Sequence, residues 1–158
     1  MYCHDYEKLL EYMQDCNNIL IATGQIENPD IRVRLFESFQ NKDCSLPVII
    51  SPHAYVSPHT KIGSGTIIMH GCVINAGAEI GENCIINSQA LIEHDVIIKD
   101  HCHISTGAIV NGEVQVGEGV FIGSGVVTKQ SVSIGNNCVI GAGVVVKRHI
   151  ESGQVIKK

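Results

Sequence analysis

The chain has 158 residues, which is enough for one globular domain and at most a fragment of a second. Its formal net charge is −5 and no basic run is longer than the terminal pair Lys157–Lys158, which argues against a nucleic-acid partner. The seven cysteines include no CxxC pair, no apolar run approaches membrane-spanning length, and no secretory signal is visible. These features predict a reduced, cytoplasmic protein.

Residues 1–48 predict part of a parallel α/β unit. A first helix is predicted by the helical spacing of Tyr6, Leu9, Leu10 and Met13. The segment NILIAT, residues 18–23, is typical of a buried strand and ends at Gly24. Pro29 begins a second predicted helix, whose apolar face would consist of Ile31, Leu35 and Phe39. The segment LPVII then predicts a second strand, so the order is that of a partial, Rossmann-like αβαβ unit.

Residues 49–150 divide into 17 consecutive hexads without an insertion. The second residue of each hexad is aliphatic except at Thr128, which is still β-branched. A second column, four residues after the aliphatic one, consists mostly of small residues and ends at Ile150. It includes Cys72, Cys84, Cys102 and Cys138. A period of six matches no amphipathic helix and favours a short strand and a bend, repeated. The cysteines of the small column are predicted to be packing residues.

The hexads resemble those of the left-handed parallel β-helix acyltransferases, in which three hexads make one triangular coil. Together with "ILIATGQIENPDIR", residues 19–32, the chain resembles a family of sugar acetyltransferases. That family includes sialic acid O-acetyltransferases and the UDP-4-amino-sugar N-acetyltransferases of bacterial glycan synthesis. The sequence has no counterpart of the family's first strand and glycine-rich turn. The resemblance implies three parts: a partial α/β nucleotide-sugar-binding unit (1–48), a mainly β, left-handed β-helix acyltransferase domain (49–150) and a C-terminal tail (151–158).

An acidic and histidine-rich stretch interrupts the aliphatic pattern in "ALIEHDVIIKDHCH", residues 90–103. The hexad LIEHDV places Glu93, His94 and Asp95 at a corner. With three hexads per coil, His94 lies between Ala76 and Gly112, whose small size leaves room for a substrate beside the imidazole.

The resemblance of "NSQALIEHDVIIKDHCHISTGA" to the family's active-site segment implies that His94 is the general base and Asp95 its helper. Histidine suits this role because its usual pKa of about 6.5 is near working pH. The expected reaction is direct transfer from acetyl-CoA to a sugar amine or hydroxyl. The backbone N–H of Gly112 is the candidate donor to the thioester oxygen, because glycine allows close approach.

The same resemblance implies that His103, Ser124 and Ala142 contact the co-substrate acetyl-CoA and that Gly24 contacts the sugar. It also implies a homotrimer with sites between subunits, and no metal. By contrast, His101 has no family match and is expected at a solvated corner.

Two other functions compete with this interpretation. The γ-class carbonic anhydrases also use the β-helix, but no two histidines here have that class's five-residue spacing. A catalytically silent partner subunit of a sugar acetyltransferase is the second alternative.

Overall fold

The computed structural model describes residues 17–40 and 44–157. Within these ranges the chain forms one helix and 18 strands of two residues each. In chain order they are α1 (Asp30–Gln40), β1 (Ile49–Ile50), β2 (Tyr55–Val56), β3 (Lys61–Ile62), β4 (Ile67–Ile68), β5 (Val73–Ile74), β6 (Glu79–Ile80), β7 (Ile85–Ile86), β8 (Leu91–Ile92), β9 (Ile97–Ile98), β10 (His103–Ile104), β11 (Ile109–Val110), β12 (Gln115–Val116), β13 (Phe121–Ile122), β14 (Val127–Thr128), β15 (Ser133–Ile134), β16 (Val139–Ile140), β17 (Val145–Val146) and β18 (Val155–Ile156).

The strands form three parallel sheets that are the faces of a solenoid. The first face has the order β1-β4-β7-β10-β13-β16-β18, the second β17-β14-β11-β8-β5-β2, and the third β15-β12-β9-β6-β3. Strand partners are three hexads apart along the chain, as in Ile49↔Ile67 and Leu91↔Ile109. Three hexads therefore make one coil, and the predicted β-helix is confirmed.

The core consists of the two predicted columns, which face each other inside the coils. Ile74, Ile86, Ile92 and Ile104 are fully buried, as are Cys72, Cys84, Cys102 and Cys138 in the small column. The four cysteines are free thiols, so their predicted packing role is confirmed. Fully burying one such aliphatic side chain stabilises the fold by about 1.5–3 kcal/mol.

The last coil departs from the hexad pattern. Ile150 bridges Ile134, and Val155 pairs with Val139, so in both cases the partners are closer along the chain than three full hexads. The corner after β17 is thus two residues shorter than the others, and Ile150 joins the larger aliphatic column. The described part of the segment 151–158, predicted as a tail, adds strand β18 to the first face.

The described residues 17–40 and 44–48 pack against the first face and the corner that precedes it, but only partly as the sequence suggests. Asn18 forms a parallel bridge with Ser45, while Leu20 is half exposed, so the predicted buried strand is reduced to one bridge. Helix α1 begins where expected, because Asn28 Oδ1 accepts the Asp30 N–H at 2.7 Å. The first predicted helix, around Tyr6–Met13, lies outside the described residues.

Helix α1 packs through Phe39 and the partly buried Leu35 of its predicted apolar face, but not through Ile31. Ile31 is 61% exposed, and the buried side chains are Arg32, Phe36 and Phe39. Arg32 donates to the carbonyls of Ile21 and Thr23 on one side and of Gly65 and Asn83 in the coils on the other. Burial lowers the pKa of its guanidinium to about 10. A buried arginine therefore ties this segment to the solenoid through backbone oxygens.

Candidate active site

The His94 corner follows β8 and joins the second face to the third. Ile92 and Val96 are fully buried on either side of it, which directs the three residues between them outward. The side chains of His94 and Asp95 are 50% and 66% exposed. The corner thus presents both side chains to solvent on a rigid support.

His94 and Asp95 form a hydrogen-bonded pair. His94 Nδ1 is 3.0 Å from Asp95 Oδ2, and because a carboxylate only accepts, Nδ1 carries the proton. The hydrogen bond that Nδ1–H donates to Asp95 is the main cause that raises the pKa of His94, with smaller contributions from the charges of Asp95, Glu93 and Glu113. In neutral His94 the lone pair is then on Nε2, which makes no hydrogen bond within the described residues. That nitrogen is available to accept a proton.

Gly112 lies directly against the His94 ring, one coil further on. A Cβ at this position would be 2.6 Å from Nε2, 2.7 Å from Cε1 and 3.1 Å from Cδ2. The backbone N–H of Gly112 has no acceptor within the described ranges, while its carbonyl accepts the backbone N–H of Ser131. Next to it, Asn111 donates its backbone N–H to Thr128 Oγ1 at 3.0 Å, which explains the single hydroxyl in the aliphatic column. The sequence-predicted neighbours His94 and Gly112 are thus brought together with the N–H unpaired.

Glu93, the other carboxylate at this corner, is engaged elsewhere. Its Oε2 accepts from Asn75 Nδ2 at 2.9 Å, one coil earlier. Glu113 likewise accepts from the Ser131 hydroxyl at 2.8 Å. Asp95 is therefore the carboxylate that contacts His94.

His103 lies apart from this pair, on β10 of the first face. It is 7% exposed and stacks edge-on against Phe121, with ring centroids 5.3 Å apart. Its Nδ1–H donates to the carbonyl of Gln25 at 2.6 Å, and Nε2 accepts from Asn87 Nδ2 at 3.2 Å. Burial lowers the pKa of His103, and the Nε2 that accepts from Asn87 carries no proton. A new hydrogen bond from this ring to a ligand would require one of the two partners to move.

Ser124 and Ala142 lie one above the other at the corner between the first and second faces. Both are exposed, and neither backbone N–H meets an acceptor in the described part of the chain. The Ser124 hydroxyl is 2.9 Å from that of Ser105. This corner therefore presents two unpaired amides in line along the solenoid.

Gly24, the predicted sugar contact, is exposed, with open space around the position of a Cβ. It directly precedes Gln25, which holds His103 through its carbonyl and donates its side-chain amide to the His101 carbonyl. His101 itself is not at a solvated corner, because its ring packs edge-on against Phe36 at 5.7 Å and Nδ1 contacts Asn83. The expectation of a solvated His101 is wrong because α1 covers that corner.

Three residues around these groups were missed by the sequence interpretation. Gln25 and Asn87 hold His103, and Gly77 lies beneath the Asp95 carboxylate. The repeat of three hexads places Gly77 one coil before Asp95, but it does not indicate a role for this glycine. No sequence signal links Gln25 to a histidine 78 residues away.

The structure gives two findings on other classes of site. Among the described residues, no group of three or more His, Cys, Asp or Glu side chains is placed to hold a metal ion. Across 17–40 and 44–157, no helix combines the length and the apolar character that crossing a bilayer requires.

Comparisons with known proteins agree with this architecture. The family model described as bacterial transferase hexapeptide (six repeats) matches residues 59–94 and 77–112, and the hexapeptide repeat of succinyl-transferase matches 113–148. No curated protein matches the chain by sequence.

Solved structures match over most of the chain. The acetyltransferase domain of PglB from Neisseria gonorrhoeae is 33% identical, with a TM-score of 0.84 over 87% of this chain and 66% of its own. PerB from Caulobacter crescentus, in complex with CoA and GDP-perosamine, is 32% identical, with a TM-score of 0.86 over 92% of this chain and 69% of its own. WeeI from Acinetobacter baumannii shares the fold at 23% identity, with a TM-score of 0.85 over 93% of this chain and 72% of its own. The chain thus spans about two thirds of the length of these structures, and it belongs to the hexapeptide-repeat, left-handed β-helix family of sugar acetyltransferases.

Proposed function

We propose that this chain transfers the acetyl group of acetyl-CoA to an amino or hydroxyl group of a nucleotide-linked sugar. The observation that carries this proposal is the His94–Asp95 pair, with the ring's Nε2 unpaired directly against Gly112. The similarity to PerB, whose structure contains CoA and GDP-perosamine, supports both substrates.

His94 acts as the general base in direct transfer. Its Nε2 takes the proton of the acceptor amine or hydroxyl while that nitrogen or oxygen attacks the thioester carbonyl carbon. The carbon–sulfur bond then breaks, and the CoA thiolate receives the proton from the imidazolium. Asp95 stabilises the imidazolium, since a carboxylate on Nδ1 favours the charged ring.

The Gly112 N–H stabilises the oxygen that gains negative charge during the attack. It is adjacent to the His94 ring and has no competing acceptor in the described residues. A donor that is already in place needs no rearrangement when the charge develops.

Acetyl-CoA lies along the corner between the first and second faces. The unpaired amides of Ser124 and Ala142 suit the carbonyl groups of an extended pantetheine arm, at roughly 4.8 Å per coil. We place His103 beside the bound co-substrate, as the resemblance implies. Its two ring nitrogens remain hydrogen-bonded to Gln25 and Asn87.

The functional unit is a homotrimer formed through the second face. The outward side chains of the second face are all apolar or aromatic: Tyr55, Val73, Leu91, Ile109, Val127 and Val145. Those of the third face are mostly polar: Lys61, Glu79, Ile97, Gln115 and Ser133. Tyr55 and Val145 on the second face are 57% and 56% exposed, whereas Ile85 and Val139 on the first face are buried. Threefold packing of the second faces would bring the Ser124 corner of one copy to the His94 corner of the next.

The acceptor is held by residues 1–48, with Gly24 at the sugar. An amino group is the favoured nucleophile, because the similar enzyme from Caulobacter crescentus is a perosamine N-acetyltransferase. We place the reaction in the cytoplasm, where both acetyl-CoA and nucleotide-linked sugars are made.

The test is an acetyl-transfer assay with the purified chain, acetyl-CoA and a panel of nucleotide-linked amino sugars and sialic acids. Release of free CoA thiol and the mass of the acetylated sugar are measured together. We expect transfer to at least one nucleotide-linked amino sugar and a loss of roughly 10²–10⁴ in rate for His94→Ala. Acetyl-CoA binding without transfer to any acceptor would instead favour a catalytically silent partner subunit, and no binding at all would contradict the proposal.

A further inference from the structure

The Asp95 carboxylate rests on the preceding coil at Gly77. A Cβ at position 77 would be 2.2 Å from Asp95 Oδ1 and 3.2 Å from its carboxyl carbon. The other oxygen, Oδ2, is the one that accepts from His94 Nδ1. The carboxylate therefore occupies the space above Gly77 while it contacts the imidazole.

The backbone conformation at position 77 does not by itself demand glycine. Gly77 has a φ of +76° and is the fifth residue of its hexad. Seven other residues at that place in their hexads have positive φ and carry side chains: Asn83, Gln89, Asp95, His101, Glu113, Ser131 and Asn137. Because Gly77 has no side chain, there is space above it, and the Asp95 carboxylate fills this space.

We propose that Gly77 is a positioning residue for catalysis, whose missing side chain allows Asp95 to fold back over the preceding coil and face His94. This inference rests on the proposed role of His94 as general base. A side chain at position 77 displaces the carboxylate from the imidazole, and His94 then loses the partner that orients its ring and stabilises its charge.

Among the described residues, no other charged group at this corner forms a hydrogen bond with His94. Glu93 is paired with Asn75, and Glu113 with Ser131. His59, two coils before Asp95, and Lys129, two coils after Glu93, are exposed and form no hydrogen bond with the His94–Asp95 pair. The position of Asp95 is thus the main local control on the proton affinity of His94, whose pKa it raises.

The experiment is an NMR titration of the His94 ring in the full chain, with the signal assigned by its loss in His94→Gln. The chain offers a matched control in Gly119→Ala. Gly119 also has a positive φ, +67°, and a Cβ there would be 2.4 Å from the Asn137 side-chain oxygen. Gly119→Ala therefore has the same backbone strain and a similar collision, at a different corner without the His94–Asp95 pair.

We expect Gly77→Ala to lower the His94 titration midpoint, in the same direction as Asp95→Asn. The double variant should titrate like Asp95→Asn alone, since the glycine acts only through the carboxylate. Gly119→Ala should leave the midpoint in place. In the transfer assay Gly77→Ala should lower kcat and should move the acidic limb of the pH–rate profile to lower pH. The double variant should be no slower than Asp95→Asn.

An unchanged His94 midpoint in folded Gly77→Ala would overturn the proposal. If this variant does not fold, Gly77→Asn replaces it, because Asn83 and Asn137 hold the same conformation in the native chain. Failure of both to fold would also overturn it, since Gly77 would then be required by the fold alone. The titration does not depend on turnover, so a chain that shows the shift but transfers no acetyl group would contradict the proposed function and leave the positioning role intact.

Discussion

Gly112→Ala is the sharpest test of the His94 site, because the three atoms nearest to the added methyl group all belong to the His94 ring. The φ of Gly112 lies outside the left-handed region, so alanine adopts this backbone without strain. The nearest atoms to the new Cβ are His94 Nε2 at 2.6 Å and Cε1 at 2.7 Å. Since ordinary contacts are about 3.5 Å, the ring must move by about 0.9 Å.

A shift of that size takes Nε2 away from its acceptor geometry while the Gly112 N–H remains. We expect kcat to fall roughly 10- to 100-fold, as misplacement by about 1 Å can cost 10²-fold. The assay is CoA-thiol release at saturating substrates, with thermal unfolding measured in parallel. In the His94→Ala background the same substitution should have almost no further effect. If the Gly112→Ala enzyme keeps more than half of the wild-type kcat, the contact between the His94 ring and Gly112 has no functional role.

Three further predictions concern the pH profile, the core and the second face. Because His94 acts when neutral and Asp95 raises its pKa, activity falls as the pH drops through that pKa. Asp95→Asn should move this acidic limb to lower pH, whereas Glu93→Gln should move it less, since the charge of Glu93 contributes less to that pKa. An unshifted limb in Asp95→Asn with a shifted one in Glu93→Gln would mean that the other carboxylate is the helper. Ile92→Ala, at a fully buried position, should cost about 2–5 kcal/mol in denaturant unfolding, and a cost under about 1 kcal/mol would contradict the tight core. Ile109→Glu puts a charge on the second face and should convert a trimer into single chains in sedimentation; a wild-type chain that sediments as a 17.1 kDa monomer would contradict the trimer itself.

The solenoid is determined by local sequence to an unusual degree. Each hexad specifies its own short strand and bend, and its core contacts recur one coil later, so the period alone places Ile92 inside and His94 outside. The same arithmetic sets Gly112 against the His94 ring. The pairing of His94 with Asp95 involves adjacent residues and is equally local.

The remaining features depend on contacts that no period describes. Helix α1 buries Arg32, which reaches carbonyls in the coils, whereas the more apolar Ile31 is exposed. The engagement of His103 comes from Gln25, 78 residues earlier. The shortened last coil is visible only in the strand pairing, in which Ile150 bridges Ile134. The regular hexads had predicted a corner two residues longer. Sequence therefore determined what repeats from coil to coil, and tertiary structure decided what packs upon the coils, because those contacts join segments whose spacing carries no repeat.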